Sequence, residues 1–239
     1  MMRVQRLCER FLQKRPWWYA DGKPRPQCRG ALHGVLSVAL LSGIVFSERS
    51  SLTLGLTGKL ITYSASATFH LYPFETVDGV TRAFVVDVLC VPFSVCGALA
   101  PFVTNDDGPL QARLAVGVVV VNAAAVARQC RGQVGLRTPT DRTELPRSVV
   151  VGVYSVYALG YVGLRAGFWG AWIPMFVLLV LATSVATAVT EAHDLEPTSR
   201  HALWHTPGMW SFHEDFHLLL FASDVAWLVL AIGYLAERS

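Results

Sequence analysis

Residues 83–105 read AFVVDVLCVPFSVCGALAPFVTN, 23 positions that carry a single charge, Asp87. A stretch of about 20 mostly apolar residues is what a helix needs to cross a bilayer, because lipid offers no partners to free backbone groups. Similar runs lie on both sides of it. Residues 30–47 are uncharged between Arg29 and Glu48, and 50–72 are apolar and hydroxyl-rich around Lys59. Residues 114–127 form a shorter run whose flanking Arg113 and Arg128 can snorkel outward. Runs at 148–164, 166–190 and 213–235 complete the set, the last interrupted by Glu214, Asp215 and Asp224. Only Arg165 with Gly167 separates the fifth and sixth runs. Together they are too long for one span, so a tight hairpin is expected there.

Composition agrees with this pattern. Apolar residues make up 53% of the 239 and charged residues 15%, against about 25% charged in a soluble domain. The expected fold is an all-α integral membrane protein, a seven-transmembrane helix bundle. It divides into a basic tail, 1–29, and a transmembrane domain, 30–239.

Lysine and arginine sort by side if the helices are seven. The tail holds Arg3, Arg6, Arg10, Lys14, Arg15, Lys23, Arg25 and Arg29. Arg82, the arginines from Arg128 to Arg147, and Arg200 fall on the same side. The other side has Arg49, Arg113, Arg165 and Arg238, with Asp106 and Asp107 in a loop free of bases. The positive-inside rule then puts the N-terminus in the cytosol and the C-terminus outside. The tail lacks the apolar core of a secretory signal. Val4, Leu7, Phe11 and Leu12 recur at helical spacing between bases, as in a short helix lying on anionic lipid headgroups. A disordered basic tail is the alternative. The net charge of +3 comes from these segments, so it points to lipid and not to nucleic acid. The expected location is a plasma membrane or endomembrane. The five cysteines form no disulfide framework, and Cys90 and Cys96 are read as packing residues.

The chemistry lies where polar residues interrupt the spanning runs, since ionisable groups in a membrane are costly and mark function. Ser66 and His70 form S-x-x-x-H near the end of helix 2, and Asp87 lies in the first turns of helix 3. His213 and His217 form H-x-x-x-H at the start of helix 7. Residues four apart share one helix face. In the expected topology His70, Asp87, His213 and His217 all fall near one cytosolic level. Three imidazoles from two helices with one open position describe a catalytic zinc site. Asp87 and Ser66 would serve as the nearby acid and hydroxyl. His33, at the start of helix 1, is the fourth group that stands out, with an interfacial histidine preferred to a site role. His193, His201 and His205 read as loop residues. Asp224 would either pair with Lys59 or line a cavity.

Residues 213–217 also read H-E-x-x-H, the pattern in which zinc proteases carry two ligands and a general base. No third ligand of protease type is evident, which places an intramembrane protease well behind.

S-x-x-x-H at Ser66 and His70, Asp87 early in helix 3, and H-x-x-x-H at His213 and His217 resemble the progestin and adipoQ receptor / hemolysin III family. Its wider superfamily includes the alkaline ceramidases. Val86-Asp87 followed by Gly97-Ala98-Leu99-Ala100-Pro101 is similar to the family's aspartate and glycine-to-proline stretch. Arg29-Gly30-Ala31-Leu32-His33 is similar to a helix 1 pattern of bacterial-type members. The receptor-type glutamate and asparagine before that histidine are absent, and the short loops look more like hemolysin III. The resemblance implies seven helices, a cytosolic N-terminus, and zinc held by His70, His213 and His217. Asp87 would hold the zinc-bound water with Ser66 beside it. Two functions follow as expectations. One is a zinc-dependent hydrolase of a lipid amide or ester, with the substrate entering sideways from the membrane. The other is a non-enzymatic receptor or membrane-perturbing protein in which zinc is structural.

Overall fold

Lipid leaves a backbone no partner but itself, and the apolar runs are helices in the computed structural model, which describes residues 30–131, 145–167, 170–195 and 212–239. Seven α-helices follow one another among these residues: α1 (Ala31–Phe46), α2 (Ser50–Leu71), α3 (Val77–Gly97), α4 (Gly108–Arg131), α5 (Leu145–Val162), α6 (Ile173–Leu195) and α7 (Phe212–Ala236). No strand occurs among them. Three stretches are long and apolar enough to cross a membrane: Asp78–Phe102, Gly108–Ala127 and Glu214–Ala236. Ala31–Phe46 and Ile173–Ala186 are apolar but shorter. Helix α2, at 22 residues, spans about 33 Å, but Lys59 and its hydroxyl groups dilute its apolar character.

Several boundaries differ from those read in the sequence. Helix α3 starts at Val77, six positions before the apolar run read in the sequence, because Thr76 caps it by accepting a hydrogen bond from Gly79 N at 3.1 Å. Helix α4 takes in Arg113, since a charge at the membrane edge does not end a helix. The fifth and sixth helices are separated by more than a tight turn. A π-helical segment, Gly163–Gly167, carries Arg165, and α6 begins only at Ile173. The backbone of His193 lies in α6 and not in a loop. The basic tail, the loop at 132–144, His201 and His205 lie outside the described residues.

Glycine sets a close helix crossing. Helices α2 and α3 run antiparallel, and a Cβ on Gly58 would collide with the Phe93 carbonyl. One on Gly55 would lie 3.0 Å from the Gly97 carbonyl oxygen. Small residues let membrane helices approach until their backbones touch. Helix α7 packs at the centre. Trp227, Leu230, Ala231 and Tyr234 join Leu56, Leu99, Phe102 and Tyr154 in one buried cluster. Thr183 and Ser223 share a hydrogen bond of 2.8 Å between α6 and α7. Large apolar side chains such as Val38, Phe46, Val116, Val156 and Leu181 point outward. Such a surface suits lipid and would be an aggregation hazard in water.

Pro92 lies inside α3. It has no N–H, so the carbonyl of Val88, four residues back, loses its helical donor. Asn122 of α4 reaches across and donates to that carbonyl at 3.3 Å, in a buried position. A polar residue within an apolar run thus satisfies the group the proline releases.

One end of the bundle is closed by polar contacts. Asp107 accepts hydrogen bonds from Thr104 Oγ1 and Tyr161 OH, each at 2.9 Å, and pairs with Arg165. Trp172 Nε1 donates to Glu237 at 2.8 Å. The acidic loop, the turn after α5 and the C-terminal residues therefore share one end.

Candidate functional site

The histidines gather at the opposite end. His70 closes α2, and Ser66 lies one turn earlier on the same face, both buried. His217 is buried near the start of α7, one turn after His213. The ring centres of His70 and His217 are 6.0 Å apart. His213 belongs to the helix, and its side chain lies outside the described residues.

A third imidazole joins this pair. His33 of α1 is 2% exposed. Its Nε2 lies 2.8 Å from Nδ1 of His217, and its ring centre is 3.9 Å from that of His217 and 6.0 Å from that of His70. In the sequence His33 stood out beside the other groups, but an interfacial role was preferred to a site role. Its place at the start of helix 1, level with the other two motifs, was the signal that could have found it.

Local backbone explains how α1 comes so close. Gly30, which precedes the helix, has φ +84°, a left-handed conformation that glycine adopts without strain. A Cβ there would lie 2.6 Å from the Cβ of His70. The chain therefore enters α1 directly against His70, and His33 follows one turn later beside His217.

The position of Asp87 follows from register. Phe69 meets Phe84 with ring centres 5.6 Å apart, and Thr62 Oγ1 donates to the Cys90 carbonyl at 2.7 Å. Both pairs belong to one antiparallel register, which sets Asp87 level with Ser66. The aspartate is half-buried. The acid and the hydroxyl read from the sequence thus lie at one height, about one turn deeper than His70.

Beneath the histidines is a second polar group. Lys59 Nζ pairs with Asp224 Oδ1 at 2.5 Å, and Tyr63 OH donates to Oδ2. The ammonium also lies 4.5 Å over the Trp227 ring, a cation–π arrangement. Of the two roles open to Asp224 in the sequence, the structure has the pairing with Lys59. Tyr63 connects the two groups, since its ring centre is 5.2 Å from that of His33. Glu214 and Asp215 are 1% exposed, a burial their position in the sequence did not signal.

Among the described residues no three His, Cys, Asp or Glu side chains stand ready to hold a metal ion. The donor chemistry nevertheless fits zinc. Imidazole nitrogen is a preferred zinc ligand, and two imidazoles on one tetrahedral ion would hold their ring centres about 5 Å apart. His70 and His217 are within about 1 Å of that spacing. Nδ1 of His33 is buried with no hydrogen-bond partner among the described residues. Neither family models nor curated proteins yield a match to this chain.

Proposed function

We propose that this protein is a multi-pass membrane hydrolase that cleaves a lipid amide or ester with a zinc ion held by His70, His213 and His217. The observation that carries this reading is the approach of two buried imidazoles, His70 and His217, from helices far apart in sequence. Such groups are costly in a bilayer unless they share a purpose. The motifs that resemble the hemolysin III and alkaline ceramidase superfamily support it.

Zinc, when bound, supplies Lewis acidity toward a carbonyl and lowers the pKa of water toward neutrality. The chain's own groups have distinct tasks. Asp87 accepts the proton given up by the attacking water. Ser66 donates a hydrogen bond to the carbonyl oxygen as negative charge develops on it. The site lies near one end of the helices, where the amide or ester of a membrane lipid sits below its headgroup. The full proposal has seven spanning helices, the N-terminus in the cytosol and the C-terminus outside. The placement of the Asp107–Arg165 contacts opposite the histidines supports that alternation. The basic tail meets anionic headgroups of the plasma membrane or an endomembrane.

A second reading has one observation in its favour. The His33–His217 contact ties α1 to α7, which is what zinc acting as a structural staple in a receptor or membrane-perturbing protein would also need.

Metal content and turnover together test the proposal. Detergent-purified protein is expected to hold about one zinc per chain, lost in His70→Ala, His213→Ala and His217→Ala. Asp87→Asn is expected to keep the zinc and lose about 10²–10⁴-fold of its turnover on ceramide-like lipids. A folded parent without metal, prepared free of chelators, would refute the hydrolase. Zinc without turnover on any lipid amide or ester would leave the staple.

A further inference from the structure

We infer that the end of α7 opposite the histidines carries a lipid site. A groove walled by Trp172 takes the acyl chain of one phosphatidylcholine, and the lipid's trimethylammonium group is held by the Trp172 indole and the Glu237 carboxylate. The inference is independent of the zinc reading.

The groove follows the outward face of α7. Val229, Ile232, Gly233 and Ala236 recur three and four apart, and with Trp172 and Glu237 they line a cavity of about 450 Å³. That is the size of a small-ligand pocket. Helix α7 is among the stretches long and apolar enough to cross a membrane, and Val229 and Ile232 are exposed on it. An outward apolar face of this kind meets lipid chains.

The wall of the groove is fixed in two ways. A Cβ on Gly233 would lie 2.2 Å from Cζ2 of Trp172, so the glycine is what lets the indole seat against α7. The indole Nε1 donates to Glu237 at 2.8 Å, which sets the orientation of the ring.

Depth decides which part of a lipid meets each residue. The apolar stretch of α7 ends at Ala236, and Glu237 follows it. The groove therefore runs along the hydrocarbon, and its rim reaches the headgroups, the level at which tryptophan is enriched.

Charge selects the headgroup. Glu237 forms no ion pair among the described residues. At the same end, Arg165 is taken by Asp107, and Arg238 lies 4.6 Å over the Tyr234 ring. A carboxylate beside an indole attracts a cation. A quaternary ammonium suits the pair because it has no N–H to satisfy and is held by the ring face and the charge alone.

The test is native mass spectrometry of the full chain, delipidated in a maltoside detergent free of choline. Phosphatidylcholine, phosphatidylethanolamine and phosphatidylglycerol with identical acyl chains are titrated in turn. The parent is expected to hold one phosphatidylcholine more tightly than either of the others. Trp172→Leu is expected to weaken it about 2–30-fold, the range of a cation–π contact. Glu237→Gln keeps an acceptor for the indole N–H and removes the charge, so it is expected to lose the preference over phosphatidylglycerol. Ala236→Phe fills the groove and is expected to lose all three lipids. Equal binding of the three by the parent overturns the inference, because the groove then takes bulk lipid without selection. A preference unchanged in Glu237→Gln, or lipid binding unchanged in Ala236→Phe, also overturns it. So does a change in the number of chains per complex in Ala236→Phe, since the groove would then hold a second copy.

Discussion

Removing the ammonium of Lys59 while leaving Asp224 in place creates an uncompensated charge within the bundle. The Lys59 side chain is 5% exposed and that of Asp224 18%, so water replaces little of the lost partner. Breaking one side of such a pair costs about 3–5 kcal/mol, whereas replacing both sides by apolar groups of similar size is often neutral or stabilising. Lys59→Met and Asp224→Leu alone are each expected to fall in that destabilising range. The double variant would return near the parent, short of it by the hydrogen bond that Tyr63 loses, about 1–3 kcal/mol. Adding Tyr63→Phe removes that remainder. Thermal midpoints in detergent, converted at about 2–4 °C per kcal/mol for a chain of this length, put each single variant about 6–20 °C below the parent. A double variant that loses the sum of the two single losses would refute the reasoning, because coupling between the two groups is its whole content.

Asn122→Leu leaves the Val88 carbonyl without the donor that replaced the helical one, at a cost of about 1–3 kcal/mol. Pro92→Ala restores an N–H at that turn, so the same substitution should cost less in the Pro92→Ala background. Equal losses in both backgrounds, read from thermal midpoints, would reject the compensation. At the opposite end, hydrogen bonds from Tyr161 and Thr104, together with the Arg165 guanidinium, hold the Asp107 carboxyl below its ordinary 3.8. A carboxyl depressed by folding contributes stability that is present above 3.8 and lost as pH falls through its lower folded value. Thermal midpoints of the parent should therefore show an acid-induced loss in that window. Asp107→Asn should lack that component, and an unchanged acid profile in the variant would count against it.

Helix existence was legible in the chain because lipid makes one demand of every span: a run of apolar residues long enough to satisfy its own backbone. The pairs at four-residue spacing were legible for a similar reason. Helical geometry alone places Ser66 with His70, and His213 with His217, on common faces. Boundaries were less so. The start of α3 depends on the Thr76 cap, and the gap between α5 and α6 depends on a π-helical segment whose extent the single charge of Arg165 does not set.

Helix neighbours could not be read in the same way. In water, a helix declares its buried side by polarity. In a bilayer the lipid-facing and helix-facing sides are both apolar, so the chain carries little sign of which faces meet. The sequence by itself determined the helical, membrane-suited class and the histidine-bearing faces. Only the tertiary structure decided that α1 packs where His33 reaches His217, that Asp224 takes Lys59 and Tyr63 as partners, and that Asn122 serves the carbonyl released by Pro92. Each depends on where a side chain lies across a helix interface, and that position is set by small-residue contacts such as Gly58 on Phe93 and Gly30 on His70.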